Sequence, residues 1–365
     1  MFFELTRTKT MTAVQSAENR KLQNQKGKIM KHTILLGGYT SRVNQGIGQV
    51  TLDTEKKQLA DYHLIYAAER PTYLLEKDGC IYACMKRGEN GGVAMIRDGQ
   101  EQAAVVMAGA APCHISADPN RPYFYVSWYH QGMVSVIEKT ADGLAEKCRI
   151  AHQGRSVHPN QEKPHVHFAQ ISPCGRYLFV CDLGTDEVYL YSLQADGTLQ
   201  EYHREKTPAG FGPRHLTFHP QLPFIYVLGE LSSQVLVLEM EPNSGRIFQR
   251  QLISALPEDF QGENAAAAIR ISRDGRYLYT SNRGHDSLAV FQVEADGRLC
   301  LVEYVPTEGR IPRDFALSPE EDFLVAAHQD SDNLTLFARD QESGRLTLCQ
   351  KGVYAPEYVC VFFAD

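Results

Sequence analysis

From Met30-Lys31-His32 onward the chain is a succession of short, β-rich apolar runs separated by polar turns, and one unit returns several times. Its clearest copies are SPCGRYLFVCDLGTDEVYLYSLQADGTLQ from Ser172, HPQLPFIYVLGELSSQVLVLEMEPNSGRIFQ from His219, SRDGRYLYTSNRGHDSLAVFQVEADGRLCL from Ser272 and SPEEDFLVAAHQDSDNLTLFARDQESGRLTL from Ser318. An earlier copy starts at Asp118, and a more degenerate one at Glu76. Each unit has a turn, an apolar run, a polar loop, a second run such as EVYLYSL, and an Asp-Gly or Ser-Gly turn into a third. Glycine at that turn supplies the positive φ a tight hairpin needs. The apolar segment ahead of each turn (RHLTFHP, AIRISRDG, DFALSPEE) provides a fourth strand. Four strands every roughly 41 to 55 residues is the signature of a propeller blade.

The two ends complete each other. The C-terminal EYVCVFF matches the first strand of a unit but lacks its successors, while the N-terminal TILLGGYT, IGQVTLD and KQLADYHLIY supply three strands without a first. Joining them in one blade removes the open sheet edge that a linear array would expose. The pattern therefore predicts an all-β chain, a seven-bladed β-propeller over residues 31–365 closed by its N- and C-terminal strands; a β-helix or sandwich does not account for the circular closure. Residues 1–30 stand apart. They are polar, lack strand alternation and lack the apolar core of a signal peptide, and they read as a helical or disordered tail or an over-long start with the initiator at Met30.

Composition narrows the function more than the fold. The formal net charge of -7 argues against nucleic acid or an anionic membrane as partner. No apolar run is long enough for a membrane-spanning helix. The nine cysteines form no C-x-x-C pair and no zinc-like spacing, which fits reduced thiols in a cytoplasmic protein. Nothing in the sequence sets an oligomeric state.

In a propeller the first strand of every blade lines the central channel, so the informative residues are those that recur at its start. Six positions before the turn residues Pro173, Pro220 and Pro319 stand His167, Arg214 and Arg313. The same slot holds Cys113, with His114 beside it, in the blade near Asp118, and Ala267 in the blade near Ser272. A second ring ends the next strand: Leu183, Glu230, Arg283 and Gln329, preceded in three blades by Asp182, Asn282 and His328. Three arginines, a histidine and a glutamate thus converge on one channel mouth. Like charges so close cost stability unless an anion binds there, so an anionic small molecule is the expected ligand. His165 and His167, two apart on a strand, face one side. They would suit a metal, but no third ligand has supporting spacing, and no metal or other cofactor is expected. The Gly46–Gly48 G-I-G lies in no βαβ unit; a nucleophile elbow, a phosphate-binding P-loop and the Trp-Asp dipeptide of WD repeats are all missing.

GPRHLTFHP at 212–220, YVLGELSSQV at 226–235, DGRYLYTSNRGHDSLAVF at 274–291 and IPRDFALSP at 311–319 closely resemble the lactonase family of seven-bladed propellers, which spans propeller-type 6-phosphogluconolactonases and carboxy-cis,cis-muconate cyclases. The resemblance covers essentially 31–364. It implies that His167, Arg214, Glu230 and Arg283 are the functional residues, although Gly229 stands where the family's N-E-L motif has Asn. It further implies hydrolysis of a sugar lactone, foremost 6-phospho-D-glucono-1,5-lactone, in the pentose phosphate route. Arg214 and Arg283 are expected to hold the anionic group and the developing oxyanion, and His167 or Glu230 to act as base, the arginines tilting that role toward His167. Arg313, His165, Gln329 and Asn282 are expected to contribute to substrate binding. Two other readings keep the fold: a lactonase or cyclase acting on a muconolactone-type acid, and a non-catalytic propeller that binds a ligand or protein. The charged channel separates catalysis from the last, since an interaction propeller has little reason to bury arginines and a glutamate.

Overall fold

A computed structural model describes residues 30–241 and 245–364 of the chain. Residues 1–29, and with them nearly all of the polar extension, lie outside the described residues. The rest forms seven four-stranded antiparallel sheets arranged as a propeller. Blade 1 spans 69–108, blade 2 114–151, blade 3 166–206, blade 4 213–254, blade 5 265–306 and blade 6 312–354. Blade 7 takes its innermost strand from the C-terminus, Tyr358–Ala364, and its other three from the N-terminus, Lys31–Gly38, Gly46–Asp53 and Gln58–Ala67. Thr33 pairs with Ala364 and Leu36 with Val361 across that junction.

The burial pattern explains why the inner strands read as continuous apolar runs. Phe224–Gly229 and Phe323–His328 are buried at every position, because each sheet packs a neighbouring blade on both faces. The outermost strands alternate instead, as in Gly143–Ala151, with one face against the neighbour and the other in water. The core is accordingly divided among the blade interfaces. Phe224, Tyr226 and Val237 of blade 4 meet Leu278, Ala289 and Phe291 of blade 5, and an equivalent cluster fills each of the other interfaces, including that of blade 7 with blade 1. Each sheet is therefore stabilised by both neighbours, and closing the ring covers the inner strands of every blade on both faces.

A carboxylate reinforces that closure. Glu357, just before the C-terminal strand and 2% exposed, accepts backbone N–H bonds from Ser41, Arg42, Val43 and Asn44 at 2.8 to 3.0 Å. Burial pushes its carboxyl up, but the four bonds outweigh that and hold it below the ordinary range.

Candidate active site

The channel-facing residues found by counting along the repeat occupy a shared irregularity of the inner strands. In blade 3 Val166 pairs with Asp182 and Phe168 with Cys181, leaving His167 as an extra residue. Arg214 is extra between Pro213 and His215, and Arg313 between Pro312 and Asp314. A β-bulge swings its surplus residue out of the ladder and re-aims the side chain. Here the repetition of one bulge from blade to blade turns a strand residue toward the channel mouth.

Glu230, at the end of the Phe224–Gly229 strand, is the hub of the site. Its Oε2 lies 2.8 Å from Arg214 Nε and 2.9 Å from Arg283 Nη2. Its backbone also joins the blades: the N–H donates to Gly212 O, and the C=O accepts from Ala266 N. Burial pushes the Glu230 carboxyl up, yet Arg283, Arg214 and Arg313 overcome this and hold it below the ordinary range. Arg214 is 3% exposed and donates to the Ala267 carbonyl and, at 3.2 Å, to His215 Nε2. Arg283 donates to Ala265 O and Ala266 O. The alanine run Ala265–Ala268 at the start of blade 5 leaves the space these guanidinium groups occupy. Burial and the adjacent Arg283 lower the Arg214 pKa while Glu230 opposes the shift, and the guanidinium stays charged at neutral pH.

A cavity of about 290 Å³ opens beside this cluster, lined by Glu230, His167, Arg313, Tyr129 and Cys113 and by Tyr39, Arg70 and Lys86 of blades 7 and 1. Of the three expected arginines, Arg313 lines it, whereas Arg214 and Arg283 stand behind Glu230. The imidazole of His167 is buried, Nδ1 has no partner among the described residues, and burial followed by Arg214 and Arg313 lowers its pKa well below the usual value. His167 is therefore a neutral imidazole facing the cavity. Burial pushes the Cys113 thiol up to about 12, so this cysteine offers no thiolate.

Tyr73, His114, Phe168 and His215 pack as a ring cluster with centroids 4.2 to 6.4 Å apart. Next to it Arg270 and Asp314 pair at 2.9 Å. Because Arg214 donates to His215 Nε2, that ring is neutral, in keeping with the fall in its pKa caused by burial and then Arg214.

The remaining expected residues divide by place. His165 stacks on Tyr129 at 4.3 Å and reaches Glu162 at 3.3 Å, away from the lining. The bulge at His167 breaks the alternation that would have aligned the two histidines, although both rings meet Tyr129. Asn282 is turned between blades 4 and 5, donating to Ala255 O at 2.7 Å. Gln329 lines an adjoining hollow with Tyr39, Arg42 and Arg70. Asp182 accepts from His165 N and Gly184 N and pairs with His152 at 2.7 Å, fixing the turn before His167. Among the described residues no three His, Cys, Asp or Glu side chains form a metal-holding group.

Several lining residues lay outside the sequence expectation. Tyr129 stands ten residues after Pro119, the spacing that separates Pro220 from Glu230, so the same count would have found it. Arg70, Lys86 and Tyr39 lie in blades 1 and 7, whose turns depart from the repeat and give no anchor for counting. The missing Asn of the N-E-L motif also has a cause. A Cβ on Gly229 would lie 2.6 Å from Ser232 Oγ and 2.7 Å from Phe211 O.

With this geometry in hand, known proteins provide close likenesses. The family described as "Lactonase, 7-bladed beta-propeller" matches residues 33–363. A Bacillus subtilis protein named 6-phosphogluconolactonase is 40% identical over 344 residues, covering 91% of this chain and 98% of its own. A Lactobacillus plantarum protein of solved structure is 42% identical with a TM-score of 0.90, over 92% of this chain and all of its own. The periplasmic gluconolactonase of Pseudomonas aeruginosa is 33% identical with a TM-score of 0.84, over 92% of this chain and 99% of its own.

Proposed function

This chain belongs to the lactonase family of seven-bladed β-propellers, and on that premise we propose that it hydrolyses an anionic sugar lactone, 6-phospho-D-glucono-1,5-lactone. The observation that carries the reading is the single cavity in which a neutral His167, the clamped Glu230 and Arg313 meet. The name of the 40% identical Bacillus relative supports the phosphorylated substrate.

In this scheme a water molecule attacks the lactone carbonyl carbon while His167 takes its proton. The electron pair of the C=O bond moves to oxygen, and the resulting oxyanion is stabilised by Arg313. Collapse of the tetrahedral adduct breaks the bond from the carbonyl carbon to the ring oxygen. That oxygen leaves as a hydroxyl, taking the proton back from His167, and the product is the open-chain acid. The carboxylate of Glu230 is taken up by two arginines, so its part is to orient the attacking water and the sugar hydroxyls, while His167, whose Nδ1 has no partner among the described residues, is left to take the proton. Arg214 and Arg283 fix that carboxylate rather than grip the substrate. All nine cysteines are free, which suits work in a reducing compartment, the cytoplasm.

The test is hydrolysis of 6-phosphogluconolactone generated in situ, corrected for its spontaneous breakdown, with glucono-1,5-lactone alongside. Acceleration of the phosphorylated lactone is expected. A preference for the unphosphorylated lactone would move this chain toward the activity named for the Pseudomonas relative. No acceleration of either would remove the lactonase reading.

A further inference from the structure

We propose that Arg70 and Lys86 form a phosphate subsite on the rim of the cavity, across the channel from His167 and Glu230, so that one substrate is held by its phosphate at one end and attacked at its carbonyl at the other. The proposal rests on the lactonase reading and assigns its specificity to residues outside the catalytic cluster.

Position is the first argument. His167 and Glu230 come from blades 3 and 4, and Arg70 and Lys86 both come from blade 1. In a ring of seven, blade 1 is three steps from blade 4 in one direction and four in the other, as far across the mouth as the fold allows. One cavity is nonetheless lined by both groups. At about 290 Å³ it is near the lower end of small-molecule sites, a size suited to one phosphorylated sugar.

Charge is the second. On the catalytic side Glu230 already pairs with Arg214 and Arg283. Arg70 has no carboxylate partner among the described residues; only its backbone N–H is engaged, with Thr40 Oγ1 at 3.2 Å. Elsewhere on the surface, Arg204, Arg276 and Arg298 each pair with a nearby carboxylate at 2.7 to 2.8 Å. Lys86 has only a loose contact with Glu69 at 3.6 Å. Two cations with little to neutralise them, both lining a cavity, are placed for a dianion, and guanidinium and ammonium donors are the usual partners of phosphate oxygens.

Backbone conformation is the third. Glu69 pairs with Lys86 and Tyr73 with Cys84, so two surplus residues are looped out of the 70–72 segment where the catalytic bulges carry one. Arg70 sits in that loop at φ 47°, in the left-handed region that a long side chain seldom adopts. The distortion keeps Arg70 at the rim instead of in the ladder.

The experiment compares wild type with Arg70→Gln, Lys86→Gln and the double variant. It measures kcat/KM on 6-phosphogluconolactone and glucono-1,5-lactone, with thermal melts confirming the fold. The ratio of the two kcat/KM values is expected to fall about ten-fold or more in the double variant, mainly through KM of the phosphorylated lactone, and to recover in part in Arg70→Lys. A ratio within about two-fold of wild type overturns the subsite while leaving the lactonase reading intact. Should wild type accelerate neither lactone, that reading fails and calorimetric titration with 6-phosphogluconate decides the subsite. Binding weakened about ten-fold in the double variant supports it; equal binding, or none to wild type, overturns it.

Discussion

At the scale of single residues, the site is governed by burial and three arginines acting on two titratable groups. Both shifts run the same way in their effect on rate. Burial and the arginines lower the His167 pKa well below 6.5, and the arginines hold Glu230 below its usual 4.5 against the pull of burial. A group with a depressed pKa stays deprotonated until the pH falls through that lowered value. The plateau of kcat/KM is therefore expected to extend from neutrality to well below pH 6.5, and an acid limb centred at or above 6.5 would contradict the base assignment. His167→Ala should cost about 10² to 10⁴ in kcat while the melting temperature changes little. Glu230→Gln should lower both, because it leaves Arg214 buried without its anion, a loss of about 3 kcal/mol in denaturant unfolding.

Among elements, the decisive feature is the bulged inner strand. Its neighbours in the ladder are held by ordinary antiparallel pairing, which allows one surplus residue per blade to point into the channel without loosening the sheet. The strand that presents Glu230 ends at Gly229, and the space there is filled by Phe211 and Ser232. Gly229→Ala is expected to destabilise the protein by about 1–3 kcal/mol, and Gly229→Asn by more, as backbone and side chains shift to make room. Because Glu230 N bonds to Gly212 O, the same shift should reduce kcat. An unaltered denaturation midpoint together with unaltered kcat would show that this turn has more slack than the contacts indicate.

Over the whole molecule, stability depends on closure of the ring. Blade 7 is assembled from both chain ends, and Glu357 ties the 41–44 loop to the C-terminal strand. Its folded pKa is depressed, so the stabilisation is fully present above the unfolded value near 4.5 and is lost as pH falls through the folded one. Glu357→Gln should therefore lose about 2–3 kcal/mol at neutral pH, since the amide turns a donor toward N–H groups that need an acceptor. The gap between wild type and variant should narrow as unfolding is followed below about pH 4.5. A gap of constant size down to pH 3 would mean that the carboxylate's charge plays no part.

The sequence by itself determined the blade count and the shared seventh blade, and it picked out positions that recur at the inner strands. These follow from a repeat in which turn chemistry, apolar runs and spacing recur, and recurrence converts position along the chain into position around the axis. Counting reached His167, Arg214, Glu230, Arg283 and Arg313 for that reason, and it would have reached Tyr129. Only the tertiary structure decided what those residues do to one another. That Arg214 and Arg283 are taken up by Glu230, that Asn282 and His165 turn away, and that Arg70 and Lys86 face the site from blade 1 depend on side-chain directions and on contacts between blades. Bulges of different size set those directions, and a bulge leaves no mark in the apolar pattern, because its surplus residue is registered only by the strand it pairs with.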